Sequence, residues 1–112
     1  MALSVNWTVE TLGETVDEEL GSLPLDMQAR FSHLVNLIET FGLSHIGSPH
    51  VRHLEGTLWE IRLAGKSGIS RALYVTVKKR RVVVVRVFVK KTQKTPRREI
   101  RLAFERAKEI RE

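Results

Sequence analysis

The spacing of apolar residues changes period several times along the chain, and each change marks an element. Val5 to Leu12 alternates loosely around Trp7, Thr8 and Val9, which suits a first strand. Thr15, Val16, Asp17 and Glu18 then have the form of a capping box opening a short helix that Gly21 ends. From Leu25 to Phe41, the residues Phe31, Leu34, Val35, Ile38 and Phe41 recur at helical spacing, with Pro24 before them and Gly42 just after. That stripe predicts a helix buried on a sheet.

The stretch from Leu43 to Pro49 carries glycine, serine and proline and reads as a loop. Beyond it the period falls to two. Trp59, Ile61 and Leu63 alternate with Glu60 and Arg62, which predicts a strand burying the first set and turning Arg62 to the opposite face. Gly65 to Gly68 reads as a turn. Ile69 to Val77 is a second strand, with Arg71, Leu73, Val75 and Val77 on one side and Ala72, Tyr74 and Thr76 on the other. After a turn at Lys78 to Arg81, Val82 to Val89 is nearly continuous in valine and phenylalanine, as in a strand covered on both faces. Arg86 interrupts it and needs an anionic partner. Thr95 can cap, and Pro96 can start, a last helix whose Ile100, Ala103, Phe104, Ala107 and Ile110 form one apolar stripe.

The predicted order is strand, two helices, three strands, helix. Strands joined by such short turns pair as antiparallel neighbours, so the expected fold is α+β: a small antiparallel sheet packed with two N-terminal helices and a C-terminal helix. At 112 residues the chain is expected to form one domain spanning residues 1–112.

Charge is distributed unevenly. Residues 1–56 hold 8 acidic and 2 basic side chains, whereas residues 57–112 hold 5 acidic and 17 basic. Between Lys78 and Arg101 there are eleven Lys or Arg and a single acid, Glu99. Such density favours a polyanion through counterion release, although a solvated basic face has the same composition. Cysteine is absent, which excludes disulfides and thiolate zinc sites. No basic leader precedes an apolar stretch, and the longest apolar run, Val82 to Val85, is too short to span a bilayer; no membrane contact and a cytoplasmic location are the expectation.

Candidate chemistry concentrates in the segment Arg86 to Arg98, where a strand passes through a cationic turn into a proline-started helix. Arg62, Lys66, Arg71, Arg86, Lys90 and Lys91 can converge on one groove if the strands lie side by side. Guanidinium forks match phosphate oxygens, so Arg71 first, with Arg62 or Arg86 second, suits charge stabilisation at phosphorus. Lys90 or Lys91 can move protons with Tyr74 assisting, although an ordinary lysine is protonated at pH 7 and cannot act as a base. Phe88 or Trp59 can stack a base, with core packing the simpler role for Trp59. His45, His50 and His53 lie close together, but only Glu55 accompanies them, so solvated loop residues account for them better than a metal site; no metal and no cofactor are expected. His33 reads as a surface residue, and Glu60 as an ion-pair partner holding Arg62.

Two stretches, Leu58 to Tyr74 and Phe88-Val-Lys-Lys-Thr-Gln-Lys-Thr-Pro96, together with the order of elements, resemble the RelE/ParE toxin superfamily, in particular its HigB-like branch, the phage-derived Gp49-like family. The resemblance runs from Trp7 to the last helix. It implies a type II toxin, an endoribonuclease that cuts mRNA on the ribosome by 2′-hydroxyl attack and is neutralised by a helix-turn-helix, HigA-like antitoxin. It carries the cationic site onto Arg62, Arg71 and the Lys90-Lys91 pair with Thr92 and Gln93; Lys66, Arg86, Phe88 and Lys94 complete the expected RNA-binding set. Many members have His-Gly just before the phenylalanine where this chain has Arg86-Val87, so no histidine acid or base is available there. Two other functions fit the same fold: a ParE-like gyrase inhibitor, and a catalytically silent antitoxin-binding module.

Overall fold

A computed structural model describes residues 6–47 and 50–111. Its elements are β1 (Thr8–Thr11), α1 (Glu14–Gly21), α2 (Leu25–Phe41), a 3-10 turn (Leu43–His45), β2 (Val51–Glu55), β3 (Leu58–Gly65), β4 (Gly68–Val77), β5 (Arg81–Val89) and α3 (Arg97–Ala107). The five strands form one sheet in the order β1-β5-β4-β3-β2. All neighbours are antiparallel except β1 and β5, which run parallel because α1, α2 and three further strands intervene between them.

Both faces of the sheet are covered, so the strands carry apolar residues at both parities. Ile61, Leu63, Ala72, Tyr74, Val82, Val84 and Val87 pack with Val16 of α1 and with Met27, Phe31, Leu34 and Ile38 of α2. On the other face Leu58, Leu73, Val75, Val83 and Val85 meet Ile100 and Ala103 of α3, with Phe104, Ala107 and Ile110 at the margin. Each fully buried leucine here contributes about 1.5–3 kcal/mol relative to exposure.

Several sequence expectations need correction. β2 is an additional strand, paired with β3 through a two-residue turn in which Gly56 takes φ 54°. Helix α1 starts at Glu14 behind Gly13, with no side-chain cap. Thr15 therefore lies inside the first turn, and the residue anchoring that turn is Asp17, which accepts a 2.5 Å hydrogen bond from the Thr11 hydroxyl. The first strand begins at Thr8, and Val5 lies outside the described residues. Phe41, expected on the buried stripe of α2, is 58% exposed and rests against the His45 ring. Trp59 is also at the surface, 38% exposed, with its ring against that of His53 at 4.9 Å. It borders an apolar pocket of about 400 Å³ on the α2 face, with Trp7 and Tyr74.

A bulge in β5 sets up the functional face. Leu73 pairs with Arg86 but Tyr74 pairs with Val84, so Val85 is the extra residue. Val83, Val85, Arg86 and Phe88 consequently face α3, and the alternation resumes with its parity reversed. Because β1 pairs only with Arg81 to Val84, the rest of that β5 edge is open. Two side chains cover it: the Glu19 carboxylate accepts from the Val87 N–H at 3.1 Å, and Arg106 donates to the Val85 carbonyl at 2.9 Å.

Candidate functional site

Directly opposed residues in neighbouring strands point to the same face of a sheet. Arg62 of β3 opposes Arg71 of β4, and Arg71 opposes Phe88 of β5. Just before β2 the row continues, since the Arg62 N–H donates to the His50 carbonyl at 2.7 Å. A second row, Arg52, Glu60, Leu73 and Arg86, lies beside the first. Both rows occupy the α3 face. The segment after β5 then closes the end of the groove: the Lys90 N–H extends the pairing to the Ile69 carbonyl at 2.8 Å, and residues 91–96 turn back toward α3.

Two connected hollows result. The larger, about 500 Å³, is lined by Arg71, Arg86, Phe88, Lys90, Lys91, Thr92, Arg98 and Glu99 among others. The smaller, about 130 Å³ and mostly polar, is lined by His50, Arg52, Glu60, Arg62, Arg71, Lys90 and Gln93. Arg71 and Lys90 border both.

Arg71 has a different place from the one expected of it. It is 4% exposed, and its guanidinium is occupied within the protein. One terminal nitrogen donates to the Thr95 hydroxyl, the other to the Gln93 carbonyl at 2.6 Å, while Nε sits 3.7 Å from Glu60 without a hydrogen bond. The Thr95 hydroxyl in turn donates to Glu60 at 2.6 Å. Thr95 does not cap α3, because Pro96 holds the N-cap position, and there is no side-chain cap. Glu60 holds Arg71 rather than Arg62. Burial lowers the Arg71 pKa from its ordinary value, the charges of Arg52 and Arg62 add to that, and Glu60 opposes them. The expected phosphate clamp is thus a lock that fixes the 93–95 loop on β4.

Arg86 is likewise engaged. It donates to Glu99 through Nε at 2.7 Å and through a terminal nitrogen at 3.1 Å, and lies 2.8 Å from Glu19. Glu19 also meets Arg106 at 2.8 Å, so two arginines and two carboxylates share one network under the groove. The hydrogen bonds to Glu99 hold the Arg86 pKa above its ordinary value against burial, with Glu19 adding to them. The anionic partner that a mid-strand arginine requires is internal. Its guanidinium also stands 5.6 Å from the centroid of the half-buried Phe88 ring.

The remaining expected residues divide. Arg62 is exposed, and Lys90 is half-buried where the hollows meet. Lys91 and Thr92 line the larger hollow and Gln93 the smaller. Lys66 stands in the β3–β4 turn and Lys94 at the outer bend, where its carbonyl accepts from Thr92; neither lines these hollows. Tyr74 is 1% exposed on the opposite, α2 face, and burial pushes its pKa up to about 12. It has no route to the groove and cannot assist proton transfer there near neutral pH.

His50, Arg52 and Arg98 line the groove without having been expected to. The first two depend on β2, and the signal for that strand was the glycine of the Glu55-Gly56-Thr57 turn two residues ahead of β3. His53 goes elsewhere, contacting the Gly56 carbonyl at 2.8 Å, and His33 is exposed on α2. Among the described residues no cluster of His, Cys, Asp or Glu has the makings of a metal site.

Residues 18–108 match the family described as phage derived protein Gp49-like. The chain belongs to that family. Its fold is the α+β, RelE-like one expected, except that the sheet is mixed and not wholly antiparallel, since β1 runs parallel to β5. Among solved structures, the archaeal RelE–RelB complex from Pyrococcus horikoshii OT3 contains a chain 23% identical in sequence, with a TM-score of 0.53; the match covers 75% of this chain and 94% of that one. No curated protein matches this Gp49-like chain. No helix among the described residues is long and apolar enough to cross a membrane.

Proposed function

We propose that this Gp49-like chain is a single-domain type II toxin, an endoribonuclease that cuts mRNA on the ribosome and is held inactive by an antitoxin encoded with it. The observation that carries this reading is the charge imbalance of the smaller hollow: Arg52, Arg62, Arg71 and Lys90 face one carboxylate, Glu60, which is already bonded to Thr95 and paired with Arg71. Like charges directly opposed across strands, as Arg62 and Arg71 are, destabilise a sheet unless an anion joins them. A phosphodiester is such an anion. Phe88 stands on the wall of the larger hollow, where it can stack a base.

The chemistry needs no group beyond those of RNA and this chain. The 2′-oxygen attacks phosphorus, the P–O5′ bond breaks, and a 2′,3′-cyclic phosphate and a 5′-hydroxyl are left. Arg62 and Lys90 stabilise the added negative charge, while Arg71 acts through the loop it positions. Lys90 and Lys91, as ammonium groups, suit protonation of the leaving O5′. The structure of an archaeal RelE bound to RelB supports an antitoxin partner for this fold, and a helix-turn-helix, HigA-like protein is the proposed kind.

Controlled expression followed by mapping of transcript 5′ ends tests the reading. New ends in phase with codons are expected. Intact transcripts with loss of negative supercoiling would replace it with gyrase inhibition, and intact transcripts with normal growth with a silent antitoxin-binding module.

A further inference from the structure

The proposed reaction lacks a base for the 2′-hydroxyl, because the lysines of the groove are better acids than bases and Tyr74 is on the wrong face. We infer that His50 is that base. The inference rests on the nuclease reading and deepens it.

His50 lies in the cross-strand row of Arg62, Arg71 and Phe88, next to Arg62, and is an exposed residue lining the same small hollow as Arg62 and Lys90. Opposed residues stand about 5 Å apart at Cβ, so a phosphate held between Arg62 and Lys90 leaves the adjoining ribose within reach of the imidazole. Imidazole is the side chain whose neutral form is accessible near neutral pH. The charged groups facing it are Arg52 on β2, Glu60 and Arg62 on β3, Arg71 on β4 and Lys90 beyond β5. Of these, Glu60 is already engaged by Thr95 and Arg71. The backbone of His50 is fixed separately through its carbonyl, so replacing the side chain leaves the strand contact in place.

In the step, the 2′-hydroxyl proton passes to the unprotonated ring nitrogen of His50 as the O2′–P bond forms. The P–O5′ bond breaks and O5′ takes a proton from the ammonium of Lys90 or Lys91. Solvent exchange restores both residues.

The test uses the full chain and programmed ribosomes, comparing wild type, His50→Gln and His50→Ala across pH. Wild-type cleavage should rise with pH through the range in which imidazole loses its proton. His50→Gln should lose that rise and fall by about 10²- to 10⁴-fold, with melting temperature unchanged. Added imidazole should restore part of the His50→Ala rate. If wild type cuts while His50→Gln cuts within about threefold of it, or loses rate equally at every pH without imidazole rescue, His50 is not the base and the nuclease stands. If wild type produces no cyclic-phosphate ends at all, the nuclease reading falls and His50 with it.

Discussion

Two arginine clusters lie on the same face of one sheet and are built to opposite ends. Around Arg86, two guanidiniums meet two carboxylates, Glu19 and Glu99, from helices on both sides of the sheet, and the charges cancel. Around Arg62, four cations meet one carboxylate that is already committed to Arg71 and Thr95. The first cluster is a scaffold: it covers the open edge of β5 and ties α1, β5 and α3 together. The second keeps an excess of positive charge, which an outside anion would balance. Arginine in a strand therefore does not by itself mark a binding site; what marks it is whether the fold supplies the counter-charge.

The comparison breaks first at Arg71, which belongs to the groove by position and to the scaffold by its bonds. Arg71→Ala should cost about 3–5 kcal/mol in chemical denaturation, because it strands the buried Glu60 charge. Removing Glu60 as well, in Arg71→Met with Glu60→Gln, should recover part of that loss. A loss below about 1 kcal/mol for the single variant would remove the lock. Arg62→Ala should behave in the opposite way: cleavage falls about 10²- to 10³-fold, the scale of one lost donor to a developing oxyanion, while stability stays within about 0.5 kcal/mol. Arg86→Ala should lower stability by about 1–3 kcal/mol, since the pair is partly solvated, and leave the cleavage rate of the folded protein within about threefold.

The smallest effect is a dependence on pH. Burial raises the Glu19 pKa, but hydrogen bonds from Arg106 and the Val87 N–H, with the charge of Arg86, outweigh it and hold the group below its ordinary 4.5. A carboxylate lowered on folding adds stability above its unfolded pKa and loses it as pH falls through the folded value. Melting temperature should therefore be level near neutrality and drop below about pH 4.5, and Glu19→Gln should show a shallower drop. Asp26 and Glu55 are lowered in the same direction, by Ser67 and by Arg97 respectively, so the difference between the two curves is the quantity to read.

Much of this fold was legible in the residues because burial alone specifies it. Helix α2 begins and ends where Pro24 and Gly42 place it, α3 packs the stripe that its spacing predicts, and β4 divides its side chains as its alternation requires. β2 was not legible, since five residues ending in a bulge at Leu54 carry too little periodicity to outweigh the loop before them. With it went His50 and Arg52. The partners of Arg71 and Arg86 were hidden for another reason. Thr95, Glu99 and Glu19 lie 24, 13 and 67 positions away, and only the strand register and the β5 bulge bring them into bonding distance. Periodicity reports which face a residue takes, not which charge it finds there.

The most direct measurement is the affinity of wild type, Arg62→Ala and Arg86→Ala for a short RNA with a 2′-deoxy group at the scissile position, as a function of salt. The account predicts that Arg62→Ala weakens binding and lowers the slope of log affinity against log salt by about 0.7, the value of one lost single-strand phosphate contact, while Arg86→Ala leaves the slope unchanged. Equal slopes for wild type and Arg62→Ala, or a loss of slope in Arg86→Ala alone, would contradict it.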